Sequence, residues 1–208
     1  MIEANQDILA GARVLDLASH DGRWSFAALK AGAQHVIGVE ARPGLVRAAN
    51  KSFAQYGAEP DQYQFIQGDL FQTLAQRTFD VDVVLCLGFI YHTLRYGELF
   101  RGFADTGAQH CILDTKILKS DEPFVRVMTN RTDRKHNAAE DDLTEGGRAL
   151  AGYPSLPALE LMLDVYGWEI EEQFDWAALA ETLPGSRGRI SGYGTGERVT
   201  LRCRSRGR

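Results

Sequence analysis

Short apolar runs alternate with amphipathic segments along the first 117 residues of the chain. The runs are compact and rich in β-branched residues, which is typical of buried strands; they cover residues 13–18, 35–40, 63–67, 81–87 and 110–117. The segments between them carry apolar residues at helical spacing and predict helices over residues 22–31, 44–56, 71–76 and 96–104. Strands that alternate with helices predict βαβ units, and therefore a parallel sheet with helices on both faces.

The regular pattern stops near residue 119. Residues 119–150 are polar and charged, and a stretch of this length inside a compact domain is typical of a functional lid or a disordered loop, with helical pieces left open. Beyond it, the apolar spacing predicts a helix over residues 156–166, and strands over residues 169–174 and 199–203. The long Gly-rich loop between these two strands favours an antiparallel pair at the sheet edge.

The stretch V-L-D-L-A-S-H-D-G-R-W, residues 14–24, combines a strand, a tight turn and the start of a helix. In open α/β sheets, ligands bind outside the carboxyl ends of the strands, where such turns lie. The fingerprint of dinucleotide sites, G-x-G-x-x-G, lets a pyrophosphate approach bare backbone. Ala18 and His20 occupy the places of its first two glycines. The turn therefore disfavours a dinucleotide-dependent oxidoreductase and favours a nucleoside cofactor without a pyrophosphate.

The segment D-L-A-S-H-D-G, from Asp16 to Gly22, resembles the first motif of class I S-adenosylmethionine-dependent methyltransferases, commonly D-x-G-x-G-x-G. Residues 79–92 look like the F-D-x-V-x-x-x-G-V-L-Y-H stretch of several small-molecule methyltransferases. The resemblance covers most of the chain except residues 119–150. It implies an α/β fold with a Rossmann-like, doubly wound, mostly parallel seven-stranded sheet and an antiparallel edge hairpin. One methyltransferase domain would then span residues 1–208, with a lid-like insert at about 119–150.

The resemblance also implies where S-adenosylmethionine binds. The residue at the Glu40 position takes the two ribose hydroxyls, and a carboxylate suits that diol because charged acceptors make the stronger hydrogen bonds. The Asp69 position receives the adenine amino group, and the Leu70 amide a ring nitrogen. Capping of the following helices is the alternative role for both carboxylates. The expected cofactor-binding residues are Asp16, Ala18, His20, Gly22, Glu40, Asp69, Leu70, Leu87 and Gly88.

Methyl transfer to a hydroxyl requires removal of a proton, and histidine is the natural base near neutral pH. His136, in the polar insert, and His92, just past the fourth strand, are the candidates, with a slight preference for His136. The alternative for His92 is a helix-start or cofactor-wall residue. Asp114, in the fifth strand, could orient either histidine or bind the acceptor. Nothing in the sequence demands a metal, although Asp114 and the acidic residues 140–142 are candidates for a divalent ion.

Composition narrows the expected partners and location. The net charge of −5 argues against a broad nucleic-acid footprint. Three cysteines far apart in sequence favour a reducing compartment. The first residues lack the features of a signal peptide, and no apolar run approaches the ~20 residues that span a bilayer. We therefore expect a cytoplasmic protein, monomeric or homodimeric, without membrane contact.

The expected reaction is O-methylation of a small, polar, hydroxylated acceptor, such as a sugar or a natural-product intermediate. Hydrogen-bonding groups in the polar insert favour such an acceptor, because they recognise hydroxyls well. The alternative is an enzyme that modifies the wobble uridine of tRNA, since residues 79–92 also resemble the tRNA wobble-uridine carboxymethyltransferase. The acidic charge of the chain disfavours that alternative.

Overall fold

The computed structural model describes residues 1–133, 142–182 and 191–207. These residues form nine strands: β1 Arg13–Leu17, β2 His35–Glu40, β3 Tyr63–Gln67, β4 Val83–Leu87, β5 His110–Lys116, β6 Val125–Arg131, β7 Arg148–Pro154, β8 Trp168–Gln173 and β9 Arg198–Ser205. Seven of them build one sheet in the order β3-β2-β1-β4-β5-β9-β8. Strands β1 to β5 are parallel to their neighbours within this group, and β9 runs antiparallel to both β5 and β8. The predicted seven-stranded, mostly parallel sheet is confirmed.

Helices cover both faces of this sheet. They are α1 Gln6–Leu9, α2 Arg23–Lys30, α3 Pro43–Gln55, α4 Leu70–Gln76, α5 Tyr96–Asp105, α6 Leu156–Val165, α7 Trp176–Thr182 and α8 Ser191–Gly194. Two 3-10 turns, Glu3–Asn5 and Ile90–His92, complete the regular elements of the described residues. In the same part of the chain, no helix is long and apolar enough to cross a membrane.

The hydrophobic core lies on both faces of the central strands. Val14 of β1 and its neighbours pack against α1, α2 and α3, where Ala28 and Phe53 are buried. Leu15, the next residue of β1, packs on the opposite face in the cluster that contains Phe100 and Leu159. Successive side chains of a strand point to opposite faces, so a strand buried on both faces reads as a continuous apolar run. This is why the central strands could be predicted closely.

The polar insert contains a β-hairpin. Strands β6 and β7 form a separate two-stranded antiparallel ribbon, in which Met128 lies opposite Ala151 and Asn130 opposite Ala149. Ala149 and Ala151 are buried, whereas Val127 and Leu150 of the same ribbon are about 60% exposed. The ribbon is anchored to the body because the Tyr96 hydroxyl donates to the Gly152 carbonyl at 2.8 Å. The predicted loop with helical pieces is therefore partly a strand pair, and its residues 134–141 lie outside the described part of the chain.

Candidate active site

A cavity of about 430 Å³ opens at the carboxyl ends of the parallel strands. Its volume falls within the roughly 300–1,000 Å³ typical of small-molecule sites. Parallel strands bring their carboxyl ends to one edge of the sheet, so residues far apart in sequence meet there. The lining residues are Ala18, His20, Arg23, Trp24, Val39, Glu40, Ala41, Arg42, Leu45, Asp69, Leu70, Phe71, Leu87, Gly88, Phe89, Tyr91, His92 and Arg198.

The turn after β1 keeps a glycine-like backbone although two of the motif's glycines are absent. Ala18 and His20 have φ angles of +55° and +53°, which L-residues other than glycine rarely adopt. At Gly22, with φ +77°, a Cβ atom would lie 2.8 Å from the Phe65 ring, so packing as well as backbone conformation requires glycine. Gly22 does not line the cavity, and its place in this site is to let α2 begin close to the sheet.

The turn after β1 binds the carboxylate of Glu40 through a backbone amide. Its Oε2 accepts a hydrogen bond from the His20 amide, and its Oε1 accepts one from the Arg42 amide, each at 3.0 Å. In its left-handed conformation, His20 directs its backbone amide toward Glu40. A carboxylate offers about four acceptor sites, so two backbone bonds orient Glu40 and leave capacity toward the cavity. This arrangement fits a vicinal diol.

Asp69 has the capping role considered from the sequence and also lines the cavity. Its Oδ1 accepts the Gln72 amide at 2.7 Å, as the N-cap residue of α4. Leu70 begins that helix beside it, and Phe71 and Leu45 add apolar walls. A carboxylate next to apolar walls suits a flat heterocycle with an exocyclic amine.

Asp16 lies beneath the cavity rather than in its wall. It is 1% exposed, and its Oδ2 accepts the Ser25 hydroxyl at 2.6 Å. Burial raises its pKa to about 7, against the effect of the Ser25 bond and with a contribution from nearby Glu40. Asp16 therefore titrates near neutral pH and ties β1 to α2.

Gly88 and Arg198 form the wall at the end of β4. Gly88 has φ +90°, its amide donates to the Asp114 carbonyl at 2.8 Å, and an added Cβ would lie 3.4 Å from Arg198 Nη2. Asp114 is 3% exposed; its carboxylate accepts from Arg198 Nε at 2.6 Å, from the Tyr193 hydroxyl at 2.7 Å and from the Thr200 hydroxyl at 2.6 Å. With its carboxylate engaged in this way, Asp114 holds Arg198 against the cavity.

His92 lines the cavity from the 3-10 turn that follows β4. Its Nδ1 is 3.0 Å from the amide nitrogen of Asn130 in the hairpin, and its ring centroid is 4.2 Å from that of Tyr91. Burial lowers the pKa of His92 to about 4, with further lowering by the positive charges of Lys116, Arg198 and Arg42. His92 is therefore neutral throughout the physiological range, and the same burial and positive charges disfavour its protonated form.

The other predicted base, His136, lies outside the described residues. So do Glu140 and Asp141 of the acidic run. Within the described ranges, no group of three or more His, Cys, Asp or Glu side chains is arranged to hold a metal ion.

Of the nine predicted cofactor-binding residues, seven line the cavity. The other two, Asp16 and Gly22, lie behind its wall.

Arg198, Asn130 and Trp24 are among the residues of the site that were not predicted from the sequence. Arg198 arrives from β9 and Asn130 from the hairpin, and neither position follows from a local motif. Trp24 lies in the first turn of α2 and is 39% exposed where it lines the cavity. Its position directly after the strand-turn-helix motif is the signal that could have identified it.

Comparisons with known proteins show a partial family match and a shared fold. Residues 14–106 match a family model described as a methyltransferase domain, whereas no curated protein matches the chain. The N-terminal domain of EvdMO1, crystallised in the presence of SAH and D-fucose, is 19% identical, with a TM-score of 0.68 over 100% of this chain and 81% of that one.

Two further solved structures have the same fold. An S-adenosylmethionine-dependent methyltransferase from Mesorhizobium loti is 14% identical, with a TM-score of 0.66 over 98% of this chain and 95% of that one. The cyclase SpnF is 14% identical, with a TM-score of 0.60 over 99% of this chain and 82% of that one. The structural matches show the fold, and together with the family model they confirm the resemblance seen in the sequence. Over residues 14–106 the chain matches a methyltransferase domain, and its fold is that of S-adenosylmethionine-dependent methyltransferases of known structure.

Proposed function

We propose that this enzyme methylates a hydroxyl oxygen of a small polar acceptor, such as a sugar or a natural-product intermediate. The observation that carries the proposal is the position of His92, a neutral imidazole in the wall of a cavity whose opposite end holds Glu40 and Asp69. The base at one end of the cavity suits the acceptor, and the nucleoside-type contacts at the other end suit the donor. The two molecules would therefore bind side by side. The neighbouring structure crystallised with SAH and D-fucose supports a sugar-sized acceptor.

The donor fits the cavity as follows. Glu40 binds the ribose hydroxyls with the acceptor capacity that its two backbone bonds leave open. Asp69 and Leu70 bind the adenine edge between Leu45 and Phe71, and the backbone at Leu87 and Gly88 holds the methionine end. S-adenosylmethionine supplies a methyl group activated by its sulfonium sulfur. With the donor held by these residues, Tyr91 and His92 would remain free to contact the acceptor.

In the reaction, His92 removes the proton of the acceptor hydroxyl. The hydroxyl oxygen forms a bond to the methyl carbon while the carbon–sulfur bond breaks, and the bonding electrons remain on sulfur. The hydroxyl proton goes to His92 Nε2 and then to solvent. General-base assistance of this kind contributes about 10²–10⁴-fold.

Asn130 determines which nitrogen of His92 can act. If the amide oxygen of Asn130 faces His92, it accepts the Nδ1 proton and leaves Nε2 as the base. If the amide nitrogen faces His92, it donates to Nδ1 and the ring proton resides on Nε2. The two amide orientations are interchangeable by rotation of the side chain, and the base role requires the first. The hairpin therefore takes part in the proposed site through Asn130.

We propose a cytoplasmic enzyme, monomeric or homodimeric. The three cysteines are free and buried, which suits a reducing compartment. Residues 119–150, which include β6, are proposed as a cover over the acceptor.

A screen of methyl transfer tests the proposed function. The purified enzyme is incubated with S-adenosylmethionine carrying a labelled methyl group and with separate sets of sugars, phenols, carboxylic acids and tRNA. The proposal predicts label in a small hydroxylated compound, and loss of rate in His92→Ala at saturating acceptor. Loss of rate in His136→Ala alone would assign the base to the insert instead. Label in tRNA alone would replace the proposal with the wobble-uridine alternative. Full rate in both histidine variants would exclude a histidine base.

A further inference from the structure

Charge is distributed unevenly around the cavity. Its carboxylates, Glu40 and Asp69, follow β2 and β3, where Arg23 and Arg42 also line it. Among the described lining residues, Arg198 lies near the turn that carries Tyr91 and His92 without a lining carboxylate beside it. Arg198 lies 5.5 Å from the centroid of the Tyr91 ring, and Lys116 Nζ lies 5.3 Å from the same centroid. The acceptor side of the cavity is therefore the positive side.

Lys116 and Arg198 differ in their ion pairing. Asp114 neutralises Arg198 through a close ion pair. Within residues 1–133, 142–182 and 191–207, no carboxylate lies within ion-pair distance of Lys116. Its ammonium group instead lies near the faces of two tyrosines, 5.3 Å from the Tyr91 centroid and 5.8 Å from the Tyr153 centroid.

The position of Lys116 follows from the sheet and the hairpin together. Lys116 ends β5 and shares a strand face with Asp114, two residues earlier, whose carboxylate holds Arg198 in the cavity wall. Tyr153 comes from β7 and meets Tyr91 edge to face, with 5.9 Å between centroids. Lys116 and the two tyrosines form what we name the Lys116 subsite, adjoining the cavity at Tyr91.

The positive charge of Lys116 influences which acceptors can bind beside Tyr91. On the proposed function, the sulfonium of the donor brings a second positive charge to the same side of the cavity. Two like charges repel, and the exposure of Lys116 to solvent moderates this repulsion without removing it. An anionic group on the acceptor removes this repulsion, and it also offsets the positive charges that lower the pKa of His92.

We propose that the methyl acceptor is an anion, and that its carboxylate or phosphate group binds in the Lys116 subsite while its hydroxyl faces His92. The inference rests on the proposed function for the identity of the reacting hydroxyl, but the subsite itself can be tested by binding alone. Lysine suits either oxyanion, because its ammonium acts as a point charge without the fixed geometry of a guanidinium.

A matched set of sugars tests the proposal. D-fucose, D-galactose, D-galacturonate and D-galactose 6-phosphate share one ring and differ at carbon 6, which is a methyl, a hydroxymethyl, a carboxylate or a phosphorylated hydroxymethyl group, respectively. Calorimetry measures the binding of each sugar to the enzyme in complex with S-adenosylhomocysteine (SAH). We expect one or both anions to bind at least tenfold more tightly than D-fucose and D-galactose, and the difference to shrink with added salt. The stronger of the two anions identifies the oxyanion.

Two lysine variants distinguish binding in the Lys116 subsite from a general effect of positive charge. Lys116→Met should weaken binding of the preferred anion by about 10- to 100-fold, the scale of hydrogen bonds to charged groups. It should leave the neutral sugars and SAH unchanged. Lys51→Met, on the exposed face of α3, is the matched control and should change nothing.

The outcomes distinguish this inference from the proposed function. Equal binding of neutral and anionic sugars, no binding of either anion, or an equal effect of Lys116→Met on all four sugars would overturn the anionic subsite. Selective binding of an anion that is never methylated would leave the subsite standing and contradict the proposed hydroxyl transfer.

Discussion

Replacing Glu40 with alanine removes the carboxylate on which the cofactor assignment depends. In the free enzyme, the two carboxylate oxygens hold the amides of His20 and Arg42. With the donor bound, the same oxygens would also accept the two ribose hydroxyls. The change therefore affects both the ribose contact and the backbone that shapes the site.

The size of the effect follows from the bonds that are lost. Hydrogen bonds to a charged acceptor contribute about 1.5–3 kcal/mol. Since 1.4 kcal/mol corresponds to a tenfold change in affinity, Glu40→Ala should weaken SAH binding by roughly 10- to 150-fold. Glu40→Gln keeps one acceptor oxygen and should lose less.

Calorimetry with SAH measures the loss directly. Glu160→Ala, on the exposed side of α6, is the matched control and should bind as the wild type does. Thermal unfolding in the absence of ligand shows that each variant is folded. A folded Glu40→Ala variant with the dissociation constant of the wild type would refute the ribose assignment.

Three other predictions concern titration and backbone strain. Because His92 has a pKa lowered to about 4, kcat/KM for methyl transfer should stay level between pH 6 and 8 and fall only below about pH 5, whereas a tenfold fall between pH 7.5 and 5.5 would mean a base with an ordinary pKa. The buried Asp16 carboxyl, with a pKa of about 7, keeps its proton in the folded state where the unfolded chain has lost it. Wild-type stability should therefore fall by a few kcal/mol relative to Asp16→Asn between pH 4 and 8, and urea unfolding that shows a constant difference would contradict the assignment. Ala18→Gly should raise stability by up to about 1 kcal/mol in urea unfolding, because a left-handed alanine costs roughly 1–2 kcal/mol and glycine loses somewhat less in chain entropy. Ala27→Gly in the middle of α2 is its control and should lower stability by about 1 kcal/mol, and a loss of stability in Ala18→Gly would mean that the turn carries no strain.

The central sheet and the donor side of the cavity could be predicted from the sequence because both depend on local patterns. Strands buried on both faces give continuous apolar runs, and their last residues mark where a ligand binds. Glu40 and Asp69 line the cavity for this reason. The glycine-poor turn after β1 was also recognisable, because Asp16 and Gly22 retain the spacing of the motif.

The acceptor side depends on contacts between distant parts of the chain. Arg198 reaches the cavity because β9 inserts between β5 and β8, opposite Lys116 and 84 residues from Asp114. The hairpin that supplies Asn130 buries small alanines on one side and leaves apolar residues exposed on the other, so its alternation does not mark a strand. Pairings at this sequence distance leave no local pattern, and the residues that meet His92 become visible only in the structure.

A crystal structure of the enzyme with SAH tests the central claim most directly, namely that the 430 Å³ cavity is the donor site. The account predicts ribose hydroxyls within hydrogen-bond distance of Glu40, the adenine edge at Asp69 and Leu70, and the sulfur atom directed toward Tyr91 and His92. SAH bound elsewhere, or bound here with the ribose away from Glu40 and the sulfur away from His92, would contradict it.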